Sequence, residues 1–298
     1  MKKYFLSLVL LLMLFGFVNA SYANEIEKCF HYLKLQKYQL ALESGQNAVK
    51  SNPENTEAHV CLGEAYTNLG YFGLSIKEFQ IAEKLTSDKG SLAIIYSYLG
   101  IDHDNLGDSN TALLNYNKEL QIAKELNDIE EESLALNNIA NIYLEQGNYD
   151  KSLEYLNKSL QLTSKPTTIA TIYNNIATIY LYKNDNNKAV EYYKKALEFN
   201  QEAGNYRGAA HVMLNLGTAY TNLQDFSEAE RYLRQGLEMV QKISDKYWEA
   251  VAYESLGQIY LAQNKKALAS EYFTRAYNLY RTIGDNNDAK SVYEKYLK

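Results

Sequence analysis

The sequence predicts an all-α protein built from repeated pairs of amphipathic helices. Apolar residues recur at helical spacing along most of the 298-residue chain, for example at Leu136, Ile139, Ala140 and Tyr143, which share one face of a helix. The chain contains only two prolines to interrupt helices. A pattern of small and aromatic residues also returns every 34 to 40 residues. Because a short helix pair cannot bury its apolar face alone, this repetition predicts stacked pairs, a solenoid.

The first 23 residues are expected to be an export leader outside the fold. Lys2 and Lys3 precede an apolar run over 5–18, and small residues follow, so that cleavage is expected after Ala23 or Ala20. An uncleaved membrane anchor is the alternative, but the run is shorter than the roughly 20 residues of a spanning helix. We therefore expect an exported protein, periplasmic or secreted, without membrane insertion after cleavage.

The charge balance argues against two classes of partner. The full chain has a formal net charge of −6, and removal of the two leader lysines lowers it to −8. A mildly acidic protein lacks the basic surface that nucleic acids and anionic membranes attract. The expected partner is therefore a protein or peptide.

The two cysteines are Cys29 and Cys61. Export permits a disulfide, but Cys29 falls in the apolar stripe of its helix and Cys61 on the opposite face. Since a disulfide requires side chains directed at each other, two separate thiols are expected, with a disulfide as the alternative.

Seven units align on a small residue in the first helix of each pair. These small residues are Cys29, Gly63, Gly100, Ala140, Ala177, Gly217 and Gly257. Three residues later stand Tyr32, Tyr66, His103, Tyr143, Tyr180, Tyr220 and Tyr260. Twelve residues after the small residue, in the second helix, stand Ala41, Ser75, Ala112, Ser152, Ala189, Ala229 and Ala269. The small residue is expected to let the two helices approach closely.

This pattern resembles the tetratricopeptide repeat (TPR). The resemblance implies a right-handed α-solenoid, a superhelix, of about seven repeats with a C-terminal capping helix in 285–298. The expected repeats span residues 24–55, 56–92, 93–132, 133–169, 170–209, 210–249 and 250–284. Spacings above 34 residues are expected to come from longer second helices in repeats three to seven, and they resemble kinesin light chain and Rap-like arrays. Rap-type regulators carry an additional N-terminal helical domain where this chain has its leader.

In TPR proteins, the face of the first helix opposite the core lines a concave, peptide-binding groove. The resemblance therefore implies a row formed by Asn138, Asn175 and Asn215, one per repeat. An amide side chain can pair with both the N–H and the C=O of an extended peptide, whereas the alternative is a solvated helix face. The full set of candidate peptide-binding residues is Asn138, Asn141, Asn175, Thr178, Asn215, Thr218, Asn222 and Gln258. Tyr98 and Tyr182 are also expected on this face, whereas most tyrosines are expected in the core.

The sequence contains no motif that indicates catalysis, and no cofactor or metal is expected. Asp102, His103 and Asp104 resemble the start of a calcium loop, but Leu113 stands where its closing glutamate belongs. The leading hypothesis is a non-enzymatic scaffold or assembly factor that binds peptide segments in its groove. The alternative is a sensor or accessory subunit that binds a short signal peptide or glycan. The sequence leaves the oligomeric state open.

Overall fold

The computed structural model describes residues 25–298, and no strand occurs within that range. The expected leader, residues 1–23, lies outside the described residues. Within them, no helix combines the length and the apolar character that crossing a membrane requires.

The helices follow one another in pairs. The first helices of the pairs are α1 (25–34), α3 (Thr56–Asn68), α5 (Lys89–Asn105), α7 (Ile129–Glu145), α9 (Pro166–Tyr182), α11 (Tyr206–Asn222) and α13 (Lys246–Ala262). The second helices are α2 (Tyr38–Ser51), α4 (Phe72–Leu85), α6 (Ser109–Leu126), α8 (Tyr149–Leu162), α10 (Asn186–Glu202), α12 (Phe226–Lys242) and α14 (Lys266–Thr282). A last short helix, α15 (Asn286–Val292), continues into a π-helical turn, Tyr293–Leu297.

The pairs belong to two compact units. The first unit ends at Ile142 and the second runs from Tyr143 to Lys298, so the boundary falls inside α7. Within the first unit, α3 packs on α4, α5 packs on α6, and α3 also contacts α5. Within the second unit, α9, α11 and α13 pack on α10, α12 and α14, and α11 contacts both α9 and α13. Each first helix in these contacts therefore meets its own partner and the first helix of a neighbouring pair.

Most helices begin at an aspartate or asparagine whose side chain accepts a hydrogen bond from a backbone N–H three residues later, as is favourable at a helix N-terminus. These caps are Asn55, Asp88, Asp108, Asn148, Asp185, Asn205, Asp225, Asp245 and Asp285. The helices α5, α7, α9, α11 and α13 each begin four residues before the repeat start expected from sequence. The expected starts therefore left out the first turn of each of these helices, which is partly exposed.

The additional length is distributed over both helices of the pair. Helices α6, α10, α12 and α14 have 17 or 18 residues, as expected, but α8 has 14, so the expectation is wrong for repeat four. The first helices also lengthen, from 13 residues in α3 to 17 in α5. A 40-residue spacing therefore combines a longer second helix with a longer following first helix.

The close approach expected at the small residue is present in the core. A Cβ added to Gly257 would lie 2.7 Å from the Phe273 ring, and one added to Gly63 would lie 2.9 Å from Phe79. Each large side chain stands sixteen residues after its glycine, and the same relation holds for Gly100 with Tyr116 and for Gly217 with Leu233. In repeat one the sizes are reversed, since Cys29 faces Gly45. One small and one large side chain thus fill each contact between the paired helices.

The expectation of two separate thiols is wrong. Cys29 and Cys61 form a disulfide, with their Cα atoms 6.3 Å apart. Both side chains are fully buried and share a cluster with Leu33 and Leu62. The side of α3 opposite its apolar stripe contacts α1 at this point, so Cys61 meets Cys29.

The C-terminal segment covers the last pair of helices. Val292 is buried, and the Tyr296 ring stacks on Phe273 with their centroids 3.8 Å apart. Tyr293, in contrast, is exposed. The segment caps the last apolar face through Val292 and Tyr296.

Candidate functional site

The first unit contains an open cavity of about 900 Å³. All of its walls come from first helices, namely α1, α3, α5 and the start of α7. Its apolar lining consists of Ile26, Phe30, Val60, Ile94, Tyr98 and Ile101. Its polar lining consists of Glu27, Thr56, Glu57, Glu64, Ser91, Ser97 and Glu131. The cavity therefore lies on the face that the TPR resemblance assigned to peptide binding.

Tyr98 joins the apolar and the acidic parts of the lining. Its ring stacks on Phe79 with centroids 5.1 Å apart and planes 9° from parallel. Its hydroxyl donates a hydrogen bond to the Glu64 carboxylate. Burial raises the pKa of both Tyr98 and Glu64, because the charged form of each group is poorly solvated there. The sequence had placed Tyr98 on this face.

A further carboxyl group, that of Glu119, lies behind the cavity wall. Glu119, on α6, is completely buried, and neither of its oxygens has a hydrogen bond of regular geometry, although Ser97 and Glu131 lie beside it. Burial and the nearby Glu131 charge raise the pKa of Glu119 to about 9. Burial, together with the Asp128 charge, also raises the pKa of Glu131. Glu119 is therefore a neutral acid at pH 7.

The residues that resembled a calcium loop are part of α5 and its core contacts. The Thr67 hydroxyl donates to Asp102 Oδ1 at 2.8 Å, and Asp102 is buried. His103 is half-buried, with Nδ1 3.5 Å from Asp108 Oδ2. Among residues 25–298, no three histidine, cysteine or acidic side chains are grouped so that they could hold a metal ion.

Asn175 and Asn215, members of the predicted row, are joined in the second unit through Asn174. The Asn215 amide donates to Asn174 Oδ1 at 3.0 Å, and the Asn174 amide donates to Asn175 Oδ1 at 3.4 Å. The Thr178 hydroxyl donates to the Asn174 carbonyl at 2.9 Å and lies 3.0 Å from the Tyr193 hydroxyl. A polar strip thus connects α9 and α11, and Asn174 is the member that the sequence analysis missed.

The other candidate residues of the second unit bond elsewhere. Thr218 donates to the Leu214 carbonyl at 3.3 Å. Asn222 donates to Asn186 Oδ1 at 3.2 Å. Gln258 donates to the Tyr296 hydroxyl at 3.2 Å and to a glutamate one turn earlier.

The predicted face also includes Asn138, Asn141 and Tyr182. Asn138 and Asn141 are half-buried on α7, in the first unit. Tyr182 is 63% exposed, and its ring stacks on that of Tyr149 with centroids 6.2 Å apart. Within the second unit, the structure brings together Asn175, Thr178 and Asn215 of the residues predicted to bind peptide.

Two features of the sequence point to the cavity but lie outside the predicted amide row. Glu57 and Glu64 occupy the groove-face positions of the second repeat. Ile94, a large apolar residue, is 46% exposed on α5. The exposed isoleucine on α5 and the two acidic residues on α3 line the same opening.

Two family models match the chain. A tetratricopeptide repeat model matches residues 131–202, 168–242 and 208–282, and a second tetratricopeptide repeat model matches 31–89. The chain belongs to the tetratricopeptide repeat family. A comparison with curated proteins returned no match.

Solved TPR-containing structures and related arrays show the same architecture. The quorum sensor NprR from B. thuringiensis, in its apo form, superposes with a TM-score of 0.70 at 13% identity, covering 93% of this chain and 86% of NprR. A Rap protein complexed with competence and sporulation factor superposes with a TM-score of 0.67 at 14% identity. The match covers 92% of this chain and 84% of the Rap protein. The APC/C hetero-tetramer Cut9-Hcn1 superposes with a TM-score of 0.66 at 16% identity. The match covers 93% of the present chain, which spans about half (53%) of the matched chain. These similarities show the fold, an all-α solenoid of consecutive helix pairs.

Proposed function

We propose that this TPR protein is an exported scaffold or assembly factor that binds a segment of a partner protein in the cavity of its first unit. The observation that carries the proposal is the 900 Å³ opening on the first helices. Its volume lies within the roughly 300–1,000 Å³ that ligand sites occupy. The TPR family supports a role in protein interaction, and the proposed role is binding without catalysis.

The chemistry of the lining fits a peptide segment. Phe30 and Ile94 are 37% and 46% exposed, so a bound segment would remove apolar surface from water. Thr56 and Ser91 supply hydroxyl groups at the same opening, which can both donate to and accept from a peptide backbone. Apolar surface with a few polar groups is the usual composition of a binding pocket.

Two features support export to the periplasm or the cell exterior. The first 23 residues carry the charge and hydropathy pattern of a leader. The Cys29–Cys61 bond is of the kind that persists in oxidising compartments.

We also propose the predicted amide residues as a second contact surface. Asn175 and Asn215 would bind a peptide backbone after exchanging their bonds with Asn174. Because that exchange replaces one set of hydrogen bonds with another, the net gain per amide is small. The remaining members of this proposed surface are Asn138, Asn141, Thr178, Thr218, Asn222 and Gln258.

One similar structure supports the binding of a regulatory factor by an array of this fold, since that Rap protein is complexed with competence and sporulation factor. The present chain matches that protein over most of both lengths, which supports a comparable use of the fold.

The test is quantitative affinity capture from the envelope fraction of an exporting host, with the protein expressed from its full sequence. Ile94→Trp is expected to fill the cavity and to abolish retention of the specific partner. Ile81→Trp is the matched control, since Ile81 is a similarly exposed isoleucine outside the cavity lining.

Mass spectrometry compares what the parent and the two variants retain. A partner that the parent and Ile81→Trp hold equally, and that Ile94→Trp loses, would support the cavity. Equal retention by all three proteins would refute it. The triple variant Asn138/Asn175/Asn215→Ala, run in parallel, tests the amide surface separately.

A further inference from the structure

We propose that the cavity of the first unit recognises a basic residue, lysine or arginine, flanked by apolar residues in the bound segment. This inference rests on the proposed function and adds the chemical class of the partner segment. It follows from the charge of the lining, the absence of internal counter-charges and the position of the apolar side chains.

The lining carries charge of only one sign. Glu27, Glu57, Glu64 and Glu131 face the cavity, and no lysine, arginine or histidine lines it. An approaching cation therefore meets four carboxyl groups, and a second acidic segment would be repelled.

None of the four forms an ion pair within residues 25–298. Elsewhere on the protein, glutamates pair with a basic residue one turn away, as in Glu154 with Lys158 at 2.6 Å and Glu191 with Lys195 at 2.7 Å. The sequence thus supplies local counter-charges on other helix faces but not at the cavity. The partner segment would therefore supply the positive charge that the lining lacks.

Desolvation makes this missing charge more important at Glu64. Glu64 is half-buried, and burial raises its pKa. The Tyr98 hydroxyl orients the carboxylate by a hydrogen bond but adds no formal charge. A partly desolvated carboxylate gains more from an ammonium or guanidinium group than a fully hydrated one does.

A buried carboxyl group behind the wall adds no positive charge to the lining. Both oxygens of Glu119 lack a regular hydrogen bond, and the carboxyl group lies against Ser97 and Glu131, two residues of the lining. Because Glu119 holds its proton at neutral pH, it contributes a neutral acid beside Glu131 instead of a second charge. At this part of the wall, the negative charge lies on Glu131 at the cavity surface, and the proton lies on Glu119 behind it.

The apolar lining explains why the basic residue should have apolar neighbours. Ile26, Phe30, Ile94 and Ile101 lie at the same opening as the glutamates. A lysine or arginine side chain can lay its hydrocarbon stem on such a surface while its charged group reaches a carboxylate. Flanking leucine or valine residues would cover the rest of the exposed apolar area.

The test is isothermal titration calorimetry with three capped nine-residue peptides of the repeating unit Leu-Lys-Ser, Leu-Gln-Ser or Leu-Glu-Ser. The parent protein is expected to bind the lysine peptide at least tenfold more tightly than the glutamate peptide, with the glutamine peptide between them. Raising the salt concentration from 50 to 500 mM should weaken binding of the lysine peptide only.

The double variant Glu57→Gln/Glu64→Gln is expected to lower the affinity for the lysine peptide at least fivefold and to leave that for the glutamine peptide within twofold. Glu43→Gln/Glu54→Gln changes the net charge equally at exposed positions outside the lining, and its affinities should match the parent. Thermal melts of both variants verify that they are folded.

Two results would overturn the basic-residue inference. One is failure of the parent to favour the lysine peptide over the other two. The other is an equal loss of affinity in the cavity variant and in the exposed control. Either result leaves the proposed function standing as long as Ile94→Trp abolishes partner retention in the capture experiment, so the two failures are distinguishable.

Discussion

Glu119 shows how one buried carboxyl group can set the pH dependence of stability. In the folded protein its pKa is raised to about 9, whereas an unfolded chain titrates a glutamate near 4.3. At a pH below the pKa of the unfolded state, Glu119 is neutral in both states, and its burial as a charged group costs no stability. As the pH rises toward 9, the unfolded state releases this proton first, so the folded state becomes progressively less favourable.

We therefore expect Glu119→Gln to stabilise the first unit at alkaline pH. The free-energy difference from the parent should be small at pH 5 and reach a few kcal/mol at pH 8, since each pK unit corresponds to about 1.4 kcal/mol. Denaturation midpoints at the two pH values measure the effect. Glu43→Gln, at an exposed position, is the control. A gain that is the same at both pH values would contradict the buried-acid interpretation.

At the scale of the helix pair, the glycine of the first helix and the large residue of the second helix are a matched unit. Phe273 cannot move away from Gly257 easily, because its ring is also stacked on that of Tyr296. A methyl group added at Gly257 would therefore force the two helices apart or displace the ring.

Gly257→Ala is expected to destabilise the protein by ~1–3 kcal/mol, although alanine is the better helix former. Gly73→Ala is the matched control, because Gly73 also lies in a helix but has open space around it. That change should instead be neutral or slightly stabilising, because Gly73 lies in the first turn of α4. Thermal denaturation of both variants checks the prediction, and changes of the same sign would refute the packing argument.

The helix pairs could be predicted from sequence because the small residue, the tyrosine and the second-helix alanine recur in register. The exact starts could not, since the first turn of these helices precedes the recurring small and aromatic residues on which the repeats align. The position of Cys61 required knowledge of the neighbouring helix, which a single helical wheel lacks. The cavity was missed for the same reason, because its walls combine side chains such as Ile26, Ile94 and Glu131 from separate helices.

The amide strip was predicted in part. The position of Asn175 and Asn215 on equivalent faces of α9 and α11 follows from the repeat spacing. Their connection does not, because Asn174 lies one residue, about 100° of helix, away from the predicted row. Which amides are already bonded to one another depends on rotamers and on the distance between α9 and α11.

At the scale of the whole molecule, the two ends of the described chain are secured differently. In a solenoid each repeat gains stability from its immediate neighbours, so the terminal repeats are the first to open. The C-terminal end is covered by Val292 and Tyr296. The N-terminal end has a covalent link, since Cys29 on α1 is bonded to Cys61 on α3.

Reduction of this disulfide is expected to release the N-terminal pair selectively. The two cysteines are 32 residues apart, and closure of such a loop corresponds to ~3–4 kcal/mol in the chain-entropy account. Hydrogen exchange with and without reductant should show loss of protection in α1 and α2 and none in α13 and α14. The Cys29→Ser/Cys61→Ser variant should be insensitive to reductant. Uniform loss along the chain would contradict local release.

Binding of the proposed basic segment in the cavity would also link the lifetime of the protein to the supply of its partner. A ligand that binds only the folded state adds stability by mass action, about 2.7 kcal/mol at a hundredfold excess over its Kd. An empty copy retains the desolvated Glu64 without a counter-charge and lacks that gain. Empty copies would thus be degraded first by local proteases, and turnover would adjust the amount of this protein to the amount of the segment it holds.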